Sequence, residues 1–163
     1  MASPPNKPLV RDRGTPADRW ADKVEVIVPR WIELHDSVIQ AVDAEPTGVE
    51  IRLRAYVHDW TLVAGRWSGS GWVQPVVVRL RGAMTGRTPA VPVGISEGAV
   101  RVGSTTHDNL ISVPFASSER TELRFELVDA DRLELDGEGI DIEASGEPAF
   151  VEKRSDGMRP FAD

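Results

Sequence analysis

Residues 48–58 read GVEIRLRAYVH. Val49, Ile51, Leu53, Ala55 and Val57 alternate with Glu50, Arg52, Arg54, Tyr56 and His58, so one face is apolar and the other polar and basic. A period of two marks a half-buried strand, because successive side chains leave a strand on opposite faces. The pattern returns in Thr121–Leu127, where Leu123, Phe125 and Leu127 oppose Glu122, Arg124 and Glu126. Arg132–Asp136 and Gly139–Ala144 continue it with Leu133, Leu135, Ile140 and Ile142. Asp129-Ala130-Asp131 and Asp136-Gly137-Glu138-Gly139 read as the intervening turns. This predicts a three-stranded meander, with Ala149–Glu152 as a fourth strand.

Short β-rich runs fill the rest of the chain: Val24–Val28, Trp31–Leu34, Val38–Val42, Val73–Arg81, Ala99–Val102 and Leu110–Val113. Turn formers such as Pro29, Pro46-Thr47-Gly48, Gly82, Gly94, Gly103 and Pro114 separate them. The expectation is an all-β, single-domain antiparallel sandwich or barrel of about 8–10 strands. A short helix over Pro16–Val24 is the one exception. Residues 1–20, with Pro4, Pro5, Pro8, Gly14 and Pro16 and little apolar content, read as a disordered tail. The folded domain is expected over 21–153, with a flexible C-terminal tail over 154–163.

The chain has 163 residues, 19 basic against 26 acidic side chains, a net charge of −7 and no cysteine. Without cysteine there are no disulfides, thiolate metal sites or cysteine nucleophiles. The negative balance opposes general nucleic-acid binding and binding to anionic membranes. The first residues hold no apolar run of signal-peptide length, and no stretch is long enough to span a bilayer. A cytoplasmic address is therefore expected, with no cofactor.

All three histidines precede an aspartate: His35-Asp36, His58-Asp59 and His107-Asp108. One reading gathers His35, His58 and His107 around Zn²⁺ or Fe²⁺ in a metal-dependent β-barrel enzyme. The plainer reading is that Asp ends strands and caps turns while His lies beside it on the polar face. Adjacent strand residues point to opposite faces, so a His-Asp pair aims both side chains into one site only from a turn. Consecutive His35, Asp36 and Ser37 cannot form a catalytic triad, since the base must touch both partners at once. No catalytic set is assigned.

Tyr56, Trp60, Trp67 and Trp72 crowd a short stretch around Ala64-Gly65-Arg66-Trp67-Ser68-Gly69-Ser70-Gly71, which reads as a flexible loop. Exposed Trp beside a sheet suits a protein hot spot, or sugar stacking by Trp60, Trp67 and Trp72 in a carbohydrate-binding module. Charge is unevenly spread, +4 over residues 47–106 and −10 over 107–152. If the strands bearing Arg52/Arg54 and Arg79/Arg81 pair, they form a basic strip. The acidic segment, with Glu134 and Asp141, would then offer a separate anionic surface to a protein partner.

Trp31-Ile32-Glu33-Leu34-His35-Asp36-Ser37, Val49–His58, Gly71-Trp72-Val73-Gln74 and Asn109-Leu110-Ile111 resemble an uncharacterised family of small all-β bacterial proteins. The resemblance covers most of residues 31–152 and transfers no catalytic residue. The His-Asp-Ser strand start is also similar to that of some immunity proteins of bacterial polymorphic toxin systems. That similarity implies a cytoplasmic protein that binds another protein. The leading expectation is a non-catalytic binding module, with the metal enzyme and the sugar binder as alternatives.

Overall fold

The computed structural model describes residues 26–27, 30–155 and 157. The predicted N-terminal tail, the Pro16–Val24 helix and most of the C-terminal tail lie outside these residues. Within them the protein is all-β, with twelve strands and no helical element. Three strands of 16 residues form its frame: β2 (Arg30–Glu45), β3 (Gly48–Val63) and β4 (Arg66–Arg81). The others are β1 (Val26–Ile27), β5 (Val93–Val102), β6 (Thr105–Asp108), β7 (Leu110–Val113), β8 (Phe115–Ser117), β9 (Thr121–Leu127), β10 (Arg132–Gly137), β11 (Gly139–Ala144) and β12 (Ala149–Arg154). Arg154, placed by sequence at the start of the tail, is the last residue of β12.

All pairings are antiparallel, along the path β10-β9-β5-β2-β3-β4-β11-β8, which does not close. Among the described residues the strand ladder that joins its two halves is Val38–Ile39 of β2 with Val93–Gly94 of β5. Buried side chains from both halves form one cluster, including Ile32, Ile51, Leu53, Val78 and Ile142 from one wall and Val100, Leu123, Phe125, Leu133 and Leu135 from the other. The sheet thus folds over its own core.

The predicted meander is corrected here. β9 and β10 pair as expected, but β11 leaves that wall and pairs with β4 and β8, and β12 pairs with β4. Gly137-Glu138-Gly139 carries the chain across: Glu138 N donates to Arg81 O at 2.7 Å. A Cβ at Gly137 would stand 2.8 Å from Arg81 O.

The predicted flexible loop is corrected as well. Only Ala64 and Gly65 turn, at φ 50° and 74°, the left-handed pair of a tight hairpin. Residues 66–71 already belong to β4. Their glycines give no periodic signal because they stand under rings of β3. A Cβ at Gly69 would lie 2.7 Å from the Trp60 ring, and one at Gly71 would strike the Tyr56 hydroxyl.

β2 read as short pieces because bulges interrupt it. Glu33 pairs with Tyr56 and Val38 with Arg54, leaving four residues of β2 opposite Ala55 alone. Ser37 closes this bulge, its hydroxyl donating to Glu33 O at 2.8 Å and accepting from Tyr56 N at 3.2 Å. Leu34 turns inward, 2 % exposed, against Gly98, while His35 and Asp36 are exposed.

Candidate functional site

Register decides what shares a face. Trp31 and Glu33 lie opposite His58 and Tyr56, and Gly71 and Gly69 lie opposite His58 and Trp60. Glu152 and Arg154 continue the row on β12, opposite Gly71 and Gly69. These positions alternate with the core-facing Ile32, Ala55 and Val57, so they occupy the sheet's other face. A second buried layer forms there. His58 is 0 % exposed, Trp60 1 % and Glu33 8 %.

Glu33 is the hub of this layer. Arg154 Nη1 donates to its Oε1 at 2.6 Å, and both side chains are nearly buried. His58 Nε2 lies 3.2 Å from the same oxygen. On the other side His35 Nε2 lies 3.8 Å from Glu33 Oε2 and 3.4 Å from Asp36 Oδ2. The Arg154 guanidinium carbon sits 5.7 Å from the Tyr56 ring centroid and 5.8 Å from that of Trp60, within cation–π range. Tyr56 OH donates to Glu152 Oε1 at 2.6 Å. Burial works against the Arg154 charge, and Glu33 with Tyr56 more than offsets it, raising its pKa. Burial first, then the hydrogen bond to Glu152, pushes the Tyr56 hydroxyl up to about 12, so it remains protonated.

Trp60 Nε1 donates to His58 Nδ1 at 2.7 Å, so a neutral His58 carries its proton on Nε2. Burial, then the positive charge of Arg154, lowers its pKa from 6.5 to about 4. Between those two values the unfolded chain binds a proton that the folded chain refuses. Stability therefore falls as pH falls through this window, by up to about 3 kcal/mol for this group. Urea unfolding at roughly pH 7 and pH 4 measures the loss, and His58→Gln is expected to remove most of it. A variant that loses as much as the parent would assign the effect to other groups.

The predicted site residues separate. The ligating atoms of His35, His58 and His107 do not gather. His107 on β6 packs edge-on against Phe115 at 5.3 Å. Among the described residues the group whose ligating atoms come within 4.8 Å of one another is Glu33, His35 and Asp36. This corrects the three-histidine metal site. It also corrects the placement of the first His-Asp pair, since the bulge lets His35 and Asp36 stand side by side without a turn.

The aromatic platform is corrected too. Trp60 is buried, and Trp72 is half-buried with its ring edge-on to Phe150 at 5.2 Å. Trp67 is half-buried. Three exposed rings for stacking a sugar are not present. Tyr56 belongs to the Glu33 cluster.

Arg52, Arg54, Arg79 and Arg81 do share a face, as the β3–β4 register requires. The strip is not bare: Arg52 pairs with Asp43, Arg79 with Glu50 and Glu143, and Arg81 with Asp141. On the other wall Arg101 pairs with Glu122, Arg124 with Glu134, and Arg132 with Glu126 and Glu134. The expected anionic surface is therefore a checkerboard. Glu134 and Asp141 are rungs of cross-strand ladders, each exposed pair contributing about 0–1 kcal/mol.

Sequence reasoning missed Glu33, Glu152 and Arg154 as a unit. Glu33 had one signal, an acid alternating with Trp31 on a strand. Arg154 had none, because Lys153-Arg154-Ser155-Asp156 reads as a solvated end. No helix among the described residues is long and apolar enough to cross a membrane. No family model, curated protein or solved structure matches this chain.

Proposed function

We propose that the protein is a non-catalytic binding module of the bacterial cytoplasm that takes a protein partner, in the manner of toxin immunity proteins. The observation that carries this reading is the outer edge of β12. Among the described residues the backbone of β12 pairs with β4 alone, and its consecutive Phe150 and Val151 are 54 % and 50 % exposed. A one-sided edge with exposed apolar side chains is a template for an extended segment of another chain. Arg154 and Glu152, tied to Glu33 and Tyr56, hold that edge in place. The resemblance of the His35-Asp36-Ser37 stretch to immunity proteins supports a protein as the partner.

The test searches the genes flanking its own for a toxin domain and uses the full chain as bait for it; a locus without one would overturn the immunity reading. The parent is expected to retain that domain, and Phe150→Glu with Val151→Glu to weaken capture at least about tenfold, as expected when apolar anchors at an interface are replaced by charge. Charge reversal at Glu134 and Asp141 is expected to leave capture unchanged. Equal capture by the β12 variant, or no capture by the parent, would overturn the reading.

A further inference from the structure

We propose that Glu33, His35 and Asp36 form a binding site for one divalent transition metal ion of the zinc class, with His58 and Arg154 as positioning residues. The site meets β12 through Arg154 but does not depend on the partner proposed for that strand's outer edge. The donor set is one imidazole and two carboxylates, the mixture that suits Zn²⁺ and its neighbours rather than calcium. A tetrahedral ion with bonds of about 2.1 Å holds its ligands roughly 3.4 Å apart. His35 Nε2 stands 3.4 Å from Asp36 Oδ2 and 3.8 Å from Glu33 Oε2, and one ligating atom from each of the three residues lies within 4.8 Å of the other two. Three protein ligands leave further positions to water.

The bulge gives this arrangement a structural cause. A regular strand would send His35 and Asp36 to opposite faces. Ser37 fixes the four-residue excursion by bonding Glu33 O and Tyr56 N, so both side chains emerge beside Glu33. Bulges of this kind re-aim side chains next to functional sites.

His58 supplies an independent observation. It is fully buried, its Nδ1 is taken by Trp60, and its Nε2 points at Glu33 Oε1 from 3.2 Å without an aligned hydrogen bond. Arg154 grips the same oxygen. One oxygen of Glu33 is thus held from behind while the other faces His35. This is how outer groups orient a ligating carboxylate, and a small rotation of that carboxylate onto an ion would align the waiting His58 N–H.

The experiment titrates the tag-free full chain with Zn²⁺ by calorimetry and with Co²⁺ by visible absorption. One ion per chain is expected, with Co²⁺ giving the intense bands of a four-coordinate site. His35→Ala and Asp36→Asn, both at exposed positions, are expected to weaken binding at least about tenfold, and His107→Ala to leave it unchanged. In the unsubstituted chain, Zn²⁺ should shift the His35 ring signals in an NMR spectrum and spare those of His107. Absence of binding at millimolar metal, undiminished binding by His35→Ala, or equal loss in His107→Ala would overturn the site.

Discussion

Glu33→Ala is expected to lower the thermal midpoint by about 10 °C. The substitution removes the Glu33 carboxylate from the Arg154 guanidinium, only 10 % exposed, between the Tyr56 and Trp60 rings. Breaking a buried ion pair from one side costs about 3–5 kcal/mol, because the surviving charge remains desolvated. For a chain of this size each kcal/mol moves the midpoint by roughly 2–4 °C. His58 also loses the neighbour of its Nε2. Replacing both partners, as in Glu33→Leu with Arg154→Leu, removes both buried charges and is expected to restore much of the loss. Calorimetry on the single and double variants decides the matter. A single-variant shift under about 3 °C would mean that Arg154 swings out to water and that β12 does not depend on the pair.

The second large effect is expected at Gly69→Ala. The added methyl would meet three atoms of the Trp60 ring at 2.7–2.8 Å. That ring is 1 % exposed and its indole N–H is fixed on His58, so it cannot slide aside cheaply. Overpacking of this kind costs about 1–3 kcal/mol, and the upper end applies where the obstacle is a buried ring. The natural control is Gly86→Ala, where a Cβ meets nothing within 4 Å and stability should change by less than about 0.5 kcal/mol. Urea midpoints compare the two. If they shift equally, the Trp60 ring yields and the close approach is not a constraint.

These two sites show where the sequence was legible. Residues 49–57 and 121–127 announce themselves because one face meets a continuous core and the other meets water, which makes alternation strict. The same rule hides residues 66–71. There the informative side chains belong to the opposing strand, and the glycines record only the space that Trp60 and Tyr56 need. The bulge at 34–37 is hidden for another reason: extra residues break the period, so one long strand reads as fragments. His35 and Asp36 were visible as residue types, but their partner was not. Glu33 becomes a candidate only when Arg154, 121 positions away, arrives beside it. The charge asymmetry was legible as a sum and misleading as a surface, because sequence blocks do not reveal cross-strand pairing with Arg101, Arg79 and Arg81.

The crossing at Gly137–Gly139 has a consequence for synthesis on the ribosome. β4 is made by residue 81, yet its second edge is covered only by β11 and β12, residues 139–154. Until those residues emerge, the apolar run Val76-Val77-Val78 lies on a nascent strand with one side open. Such long-range closures are slow, and open apolar edges invite pairing between neighbouring nascent chains. The strands that emerge after residue 138 are therefore the ones that make the earlier sheet safe.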